Sequence, residues 1–67
     1  MIYYVDDSAK PAGEHEIHTE HCERLREVKS KTMLGDFVNC FGALQKAREL
    51  YQNVDGCAYC CSECHKD

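Results

Sequence analysis

The chain has 67 residues, six of them cysteine, and 12 acidic against 8 basic residues give a net charge of −4. A chain this short allows one domain, residues 1–67, and buries only about 60% of its unfolded surface. The acidic balance opposes a nucleic-acid role, since phosphate binding rests on Lys and Arg clusters, and no apolar run approaches the roughly 20 residues of a membrane span.

Ile2-Tyr3-Tyr4-Val5 is β-branched and aromatic, bounded by Asp6-Asp7-Ser8, and predicts a first strand. Asp6 to Gly13 holds Pro11 and reads as a loop. Glu14 to His18 is a candidate second strand, with His15 and Ile17 on one side and Glu16 and His18 on the other. Thr19 is a plausible N-cap for one helical turn over 20–25. The basic run from Arg24 to Lys31, diluted by Glu27 and flanked by Glu20 and Glu23, reads as solvated, with 26–32 a loop. Met33 to Phe37 predicts a short third strand with a glycine irregularity at Gly35.

Asn39 is a good N-cap, and a helix over about 40–52 follows. Its apolar residues Cys40, Ala43, Leu44, Ala47, Leu50 and Tyr51 recur at three and four. Gly42 in its first turn costs up to about 1 kcal/mol, which implies close packing there. Asn53 to Gly56 ends the helix and turns the chain into the cysteine-rich tail. The expected fold is α+β: a small antiparallel sheet of about three strands, one main helix and a zinc knuckle.

The tail, from Cys57 to His65, holds four of the six cysteines and one of the four histidines. Cys57-x2-Cys60 is the spacing at which two thiolates on a tight turn point at one tetrahedral ion. His18-x3-Cys22 supplies the matching imidazole and thiolate. The predicted ligands of one structural Zn2+ are therefore His18, Cys22, Cys57 and Cys60. The N-terminal stretch has neither a basic flank nor an apolar run for export, so the chain is expected to be cytoplasmic, with thiols reduced and available to a metal. Histidines mixed among the cysteines favour the metal over an all-disulfide framework, for which fifteen pairings exist.

The remaining candidates stay open. Cys40 lies on the apolar helix face, where core packing is expected. Cys61 follows Cys60 directly, and adjacent residues seldom reach one ion together. Cys64 either staples to Cys40 as a disulfide or joins His65, Cys40 and His15 around a second ion. His21 is expected to be solvated. Cys57, Cys60 and Cys64 do not match the ferredoxin run, and no βαβ context supports a thioredoxin-type motif.

His18-x3-Cys22, Leu34-Gly35-Asp36-Phe37, a helix with Ala43 and Ala47, and Gly56-Cys57-x2-Cys60 together resemble the metal-binding domain of the Ada DNA-repair protein. Small zinc modules appended to some bacterial nucleases share this layout. The whole chain also resembles a group of short, uncharacterised bacterial zinc-binding proteins, through Tyr3-Tyr4-Val5, Gly13 to His18 and Val54-Asp55-Gly56-Cys57. The Ada likeness implies zinc at His18, Cys22, Cys57 and Cys60. Ada-type methyl acceptance uses four thiolates, whereas His18 here makes the site less electron-rich, so phosphotriester repair is not carried over.

The expected function is a structural zinc module acting as a small binding or interaction protein, its partner unknown and a protein the candidate. One rival is a thiol redox or metal-sequestering protein using Cys40, Cys61 and Cys64. Another is a zinc hydrolase, which needs an open coordination position and a base such as Glu20, Glu23 or Glu63. Their spacing matches no catalytic helix motif, so the expectation is no enzyme.

Overall fold

The computed structural model describes residues 1–66. Four strands form one mixed sheet in the order β3-β1-β2-β4. They are β1 (Ile2–Asp6), β2 (His15–Thr19), β3 (Lys31–Asp36) and β4 (Val54–Gly56), with one helix, α1 (Cys40–Ala47). Single 3-10 turns lie at Glu23–Glu27 and Ser62–Cys64. The α+β class is as expected. The sheet has four strands rather than three, and it is not wholly antiparallel: β1 pairs antiparallel with β2 and β3, while β4 runs parallel to β2. A parallel pair needs a long crossover, and here β3 and α1 provide it.

Strand alternation decides the core. Val5 lies opposite Ile17 across the β1–β2 ladder, and both are fully buried. They pack with Tyr3, Leu34 and the α1 residues Cys40, Ala43, Leu44 and Ala47. Burying side chains such as Val5 and Ile17 contributes about 1.5–3 kcal/mol each. The Gly35 irregularity is a bulge: Tyr3 pairs with Gly35 but Tyr4 with Met33, leaving Leu34 the extra residue. Gly35 takes φ +129, a value that suits glycine. The strand itself begins earlier than predicted, at Lys31, and stops at Asp36.

The helix starts as predicted, with the Asn39 side chain accepting from the Phe41 N–H. It ends at Ala47 rather than near 52. Leu50 is 49% exposed and gives the helix no reason to continue. Tyr51 is instead drawn away, stacked on His15 at 3.7 Å and donating its hydroxyl to Asp7 Oδ1 at 2.8 Å. The next residues then enter the sheet, with the His15 N–H donating to Asn53 O at 2.9 Å. Gly42 fits the close packing expected of it, since a Cβ there would stand 2.9 Å from Phe37 Cδ1.

Asn53 to Gly56, expected as a turn, contributes β4. Gly56 is there for closeness, not for backbone freedom. A Cβ on it would lie 2.6 Å from Cys61 O and 2.7 Å from Cys64 Cβ. The tail folds back over that gap. Asp55 is buried, and its Oδ1 accepts from the N–H groups of Gly56 and Lys66.

Candidate metal centre

β2 presents alternate residues to its two faces. Ile17 enters the core under α1, so His18 points to the opposite side, where it is 2% exposed. β4 repeats the logic one strand over. Gly56 pairs with Ile17, and Cys57 follows it with its N–H donating to Ile17 O at 3.0 Å. A tight turn then carries the chain to Cys60, closed by the Cys61 N–H on Cys57 O at 2.9 Å.

Cys22 follows the same end of β2, three residues beyond its last. Thr19, expected as a helix N-cap, is instead the last residue of that strand. Its N–H points at Cys60 Sγ, 3.3 Å away. The chain turns through a Cys22 N–H to Thr19 O bond of 3.1 Å, and the 3-10 turn begins only after Cys22, whose own oxygen accepts from Leu25. The reason is the sheet: Thr19 pairs with Tyr3 across the β1–β2 ladder, which carries the strand one residue further and leaves the turn to start beyond it. Lys31 and Thr32, expected in a loop, belong to β3.

His18, Cys22, Cys57 and Cys60 thus converge, with one ligand atom from each all within 4.8 Å of one another. Cys22 Sγ and Cys57 Sγ lie 3.9 Å apart. Two thiolates on a tetrahedral ion at about 2.3 Å are separated by about 3.8 Å. The cluster therefore has the size and donor chemistry to hold a metal ion. A further observation agrees: His18 Nδ1 is enclosed and has no hydrogen-bond partner among the described residues. Such an atom costs about 1–3 kcal/mol unless something pairs with it.

Without a cation the site favours protonated sulfur. Burial pushes Cys22 up, and pushes Cys57 from 9.0 to about 11. Cys60 is also raised, first because its thiol hydrogen-bonds to Cys61 and then by burial. A bound divalent ion reverses that preference, because the ligands must be deprotonated.

The other candidates lie elsewhere. Cys40 and Cys64 form a disulfide that ties α1 to the tail. His15 stacks on Tyr51, with Nδ1 at 2.9 Å from Asp6 O, and His65 Nδ1 lies 2.8 Å from Gly56 O. The four residues of the alternative second ion are therefore not assembled as a site. Cys61 is a buried free thiol facing the core, 3.6 Å from Cys60 Sγ, and the Cys60 thiol draws it below the ordinary thiol value. His21, Glu23 and Glu63 are exposed, and Glu20 Oε2 accepts from the Ile2 N–H.

One residue at the centre escaped the sequence reading. Glu16 sends Oε1 to within 3.5 Å of His18 Nε2, and Oε2 to 2.7 Å from Lys10 Nζ. The signal was present in the two-residue spacing that puts Glu16 and His18 on one face. Its meaning depended on where Lys10 lands, and only the turn closed by Gly13 N–H on Lys10 O decides that. Among the described residues no helix is long and apolar enough to cross a membrane. No family model, curated protein or solved structure matches this chain.

Proposed function

We propose that this chain is a small zinc-binding module in which the ion is structural and the folded surface serves a protein partner. The observation that carries the reading is the convergence of one imidazole and three thiols within 4.8 Å. Four mixed N and S donors favour Zn2+, and a full protein set of four is the structural rather than the catalytic form. The likeness to the Ada metal-binding domain belongs to this reading, with His18 where methyl acceptance needs a fourth thiolate. The net charge of −4 favours a protein over a nucleic acid as partner.

Elemental analysis of protein purified under reducing conditions tests it. One zinc per chain is expected; absence of any transition metal overturns it. Location is part of the same reading. A reduced metal cluster fits the cytoplasmic placement, whereas the Cys40–Cys64 disulfide fits an oxidising compartment. Mass spectrometry of protein isolated with its thiols blocked decides between the two.

A second reading, thiol redox chemistry, has one observation behind it: Cys61 keeps a free thiol 3.6 Å from Cys60 Sγ. Thiol counts with and without chelator separate the two. A structural site hides Cys22, Cys57 and Cys60 until zinc is removed, whereas a redox protein titrates them in either case.

A further inference from the structure

His18 has two ring nitrogens in unequal surroundings. Nε2 faces Glu16 Oε1 at 3.5 Å, and Nδ1 is buried without a partner among the described residues. A neutral imidazole carries one N–H donor and one lone pair. A carboxylate can only accept, so Glu16 selects the form with the proton on Nε2. That leaves the lone pair on Nδ1, the enclosed atom. The reverse arrangement fails twice. Metal on Nε2 would leave Nδ1–H a buried donor with no acceptor, and would turn Glu16 from a hydrogen-bond acceptor into a competing ligand.

We propose that His18 takes the ion through Nδ1 and that Glu16, neutralised by Lys10, is the positioning residue that holds the imidazole in that form. The inference rests on the zinc reading and adds to it which atom ligates and what fixes it. The 3.5 Å contact is longer than a closed hydrogen bond. Metal on Nδ1 makes the Nε2 proton more acidic and draws the carboxylate in.

Lys10 explains why the carboxylate is tolerated here. Three thiolates and one neutral imidazole around a divalent ion leave one net negative charge. A bare Glu16 beside them would add a second. The carboxylate divides its oxygens, Oε1 to His18 and Oε2 to Lys10 at 2.7 Å. Glu16 is 12% exposed and Lys10 50%, so the chain of charge runs from the enclosed ring out to solvent. Gly13, at φ +99, closes the turn that places Lys10. Carboxylate–histidine–metal pairs of this kind orient the ring, and their loss lowers metal affinity about 10–100-fold.

The test uses the full chain loaded with zinc alone. Long-range proton–nitrogen correlation spectra of 15N-histidine-labelled protein should show His18 protonated at Nε2 with zinc on Nδ1. Competition against a chromophoric chelator should show Glu16→Ala weakening zinc by about 10-fold or more, Glu16→Gln by less, and Lys10→Met least. If zinc binds one per chain but sits on Nε2, the inference is overturned while the zinc reading stands. It is overturned equally if Glu16→Ala leaves both affinity and the nitrogen pattern unchanged. If the wild-type chain binds no zinc, the reading beneath the inference has failed. The nitrogen spectrum needs no variant, so a variant that folds poorly does not rescue the proposal.

Discussion

The two cysteine cross-links lie on opposite sides of the β2–β4 edge and bind the chain by different chemistry. On one side His18, Cys22, Cys57 and Cys60 gather the C-terminal end of β2 and the exit of β4. On the other, the Cys40–Cys64 disulfide ties the start of α1 to the last turn, inside the core that holds Val5 and Ile17. One short tail feeds both. Cys57 and Cys60 go to the metal side, Cys61 and Cys64 to the core side, and Gly56 is the point where the two layers meet. The difference is one of strength and of trigger. On the proposed reading the His/Cys cluster should answer to chelator and protons and the disulfide to reductant.

The largest effect is expected on the metal side, where structural zinc contributes about 10–16 kcal/mol in small finger peptides. Cys60→Ser should lower the melting temperature in the presence of zinc more than any other variant named here, while His21→Ala, at an exposed residue, should leave it in place. Circular dichroism showing the two variants equally folded would remove the distinction between the layers.

The disulfide should matter less. Its cysteines are 24 residues apart, and closing a loop of that length is worth roughly 3–4 kcal/mol by chain entropy. Cys40→Ser should lower urea stability by about that amount and keep one zinc per chain. Loss of zinc with the disulfide would mean that the two cross-links are one cooperative unit.

Gly56→Ala sharpens the comparison further, because it strikes the seam. The new methyl meets a backbone oxygen and the Cys64 Cβ, neither of which can swing aside. Overpacking of this kind costs about 1–3 kcal/mol. Its signature should be weakened zinc affinity together with faster reduction of Cys40–Cys64; a variant with either property unchanged would show that the layers are not coupled there.

The smallest expected effect is on the metal-free protein at high pH, and its sign opposes that of the loaded form. Cys57 in the folded chain holds its proton up to about 11 against an ordinary 9.0. The folded state therefore binds more protons than the unfolded state across that window. This stabilisation is complete below about 9 and lost as pH rises towards 11. With zinc bound the ligands are deprotonated, so the folded state binds fewer protons and stability falls instead as pH drops. Melting curves of both forms across pH should slope in opposite directions. Parallel slopes would mean that the ion does not sit on these thiols.

Local chemistry determined a good part of this protein in advance. The candidate pairs His18–Cys22 and Cys57–Cys60 are set by short turns, and the Asn39 cap and the Gly35 bulge by single residues. The shared face of Glu16 and His18 follows from the pleat alone. Each of these depends on neighbours in sequence, so each can be read there. What depended on distant partners could not. Thr19 looked like a cap, but pairing with Tyr3 on β1 makes it the last residue of β2. Leu50 and Tyr51 continued a helical period, but Asp7 and His15 offered Tyr51 more than another turn would have. Val54 to Gly56 read as a turn because their pairing partner, β2, lies on the far side of a long crossover. The partner of Cys64 stayed open between a disulfide and a second ion, since nothing in the spacing of Cys40, Cys64, His15 and His65 tells which atoms will meet. Packing α1 against the core brought Cys40 to Cys64 and left both histidines to other oxygens.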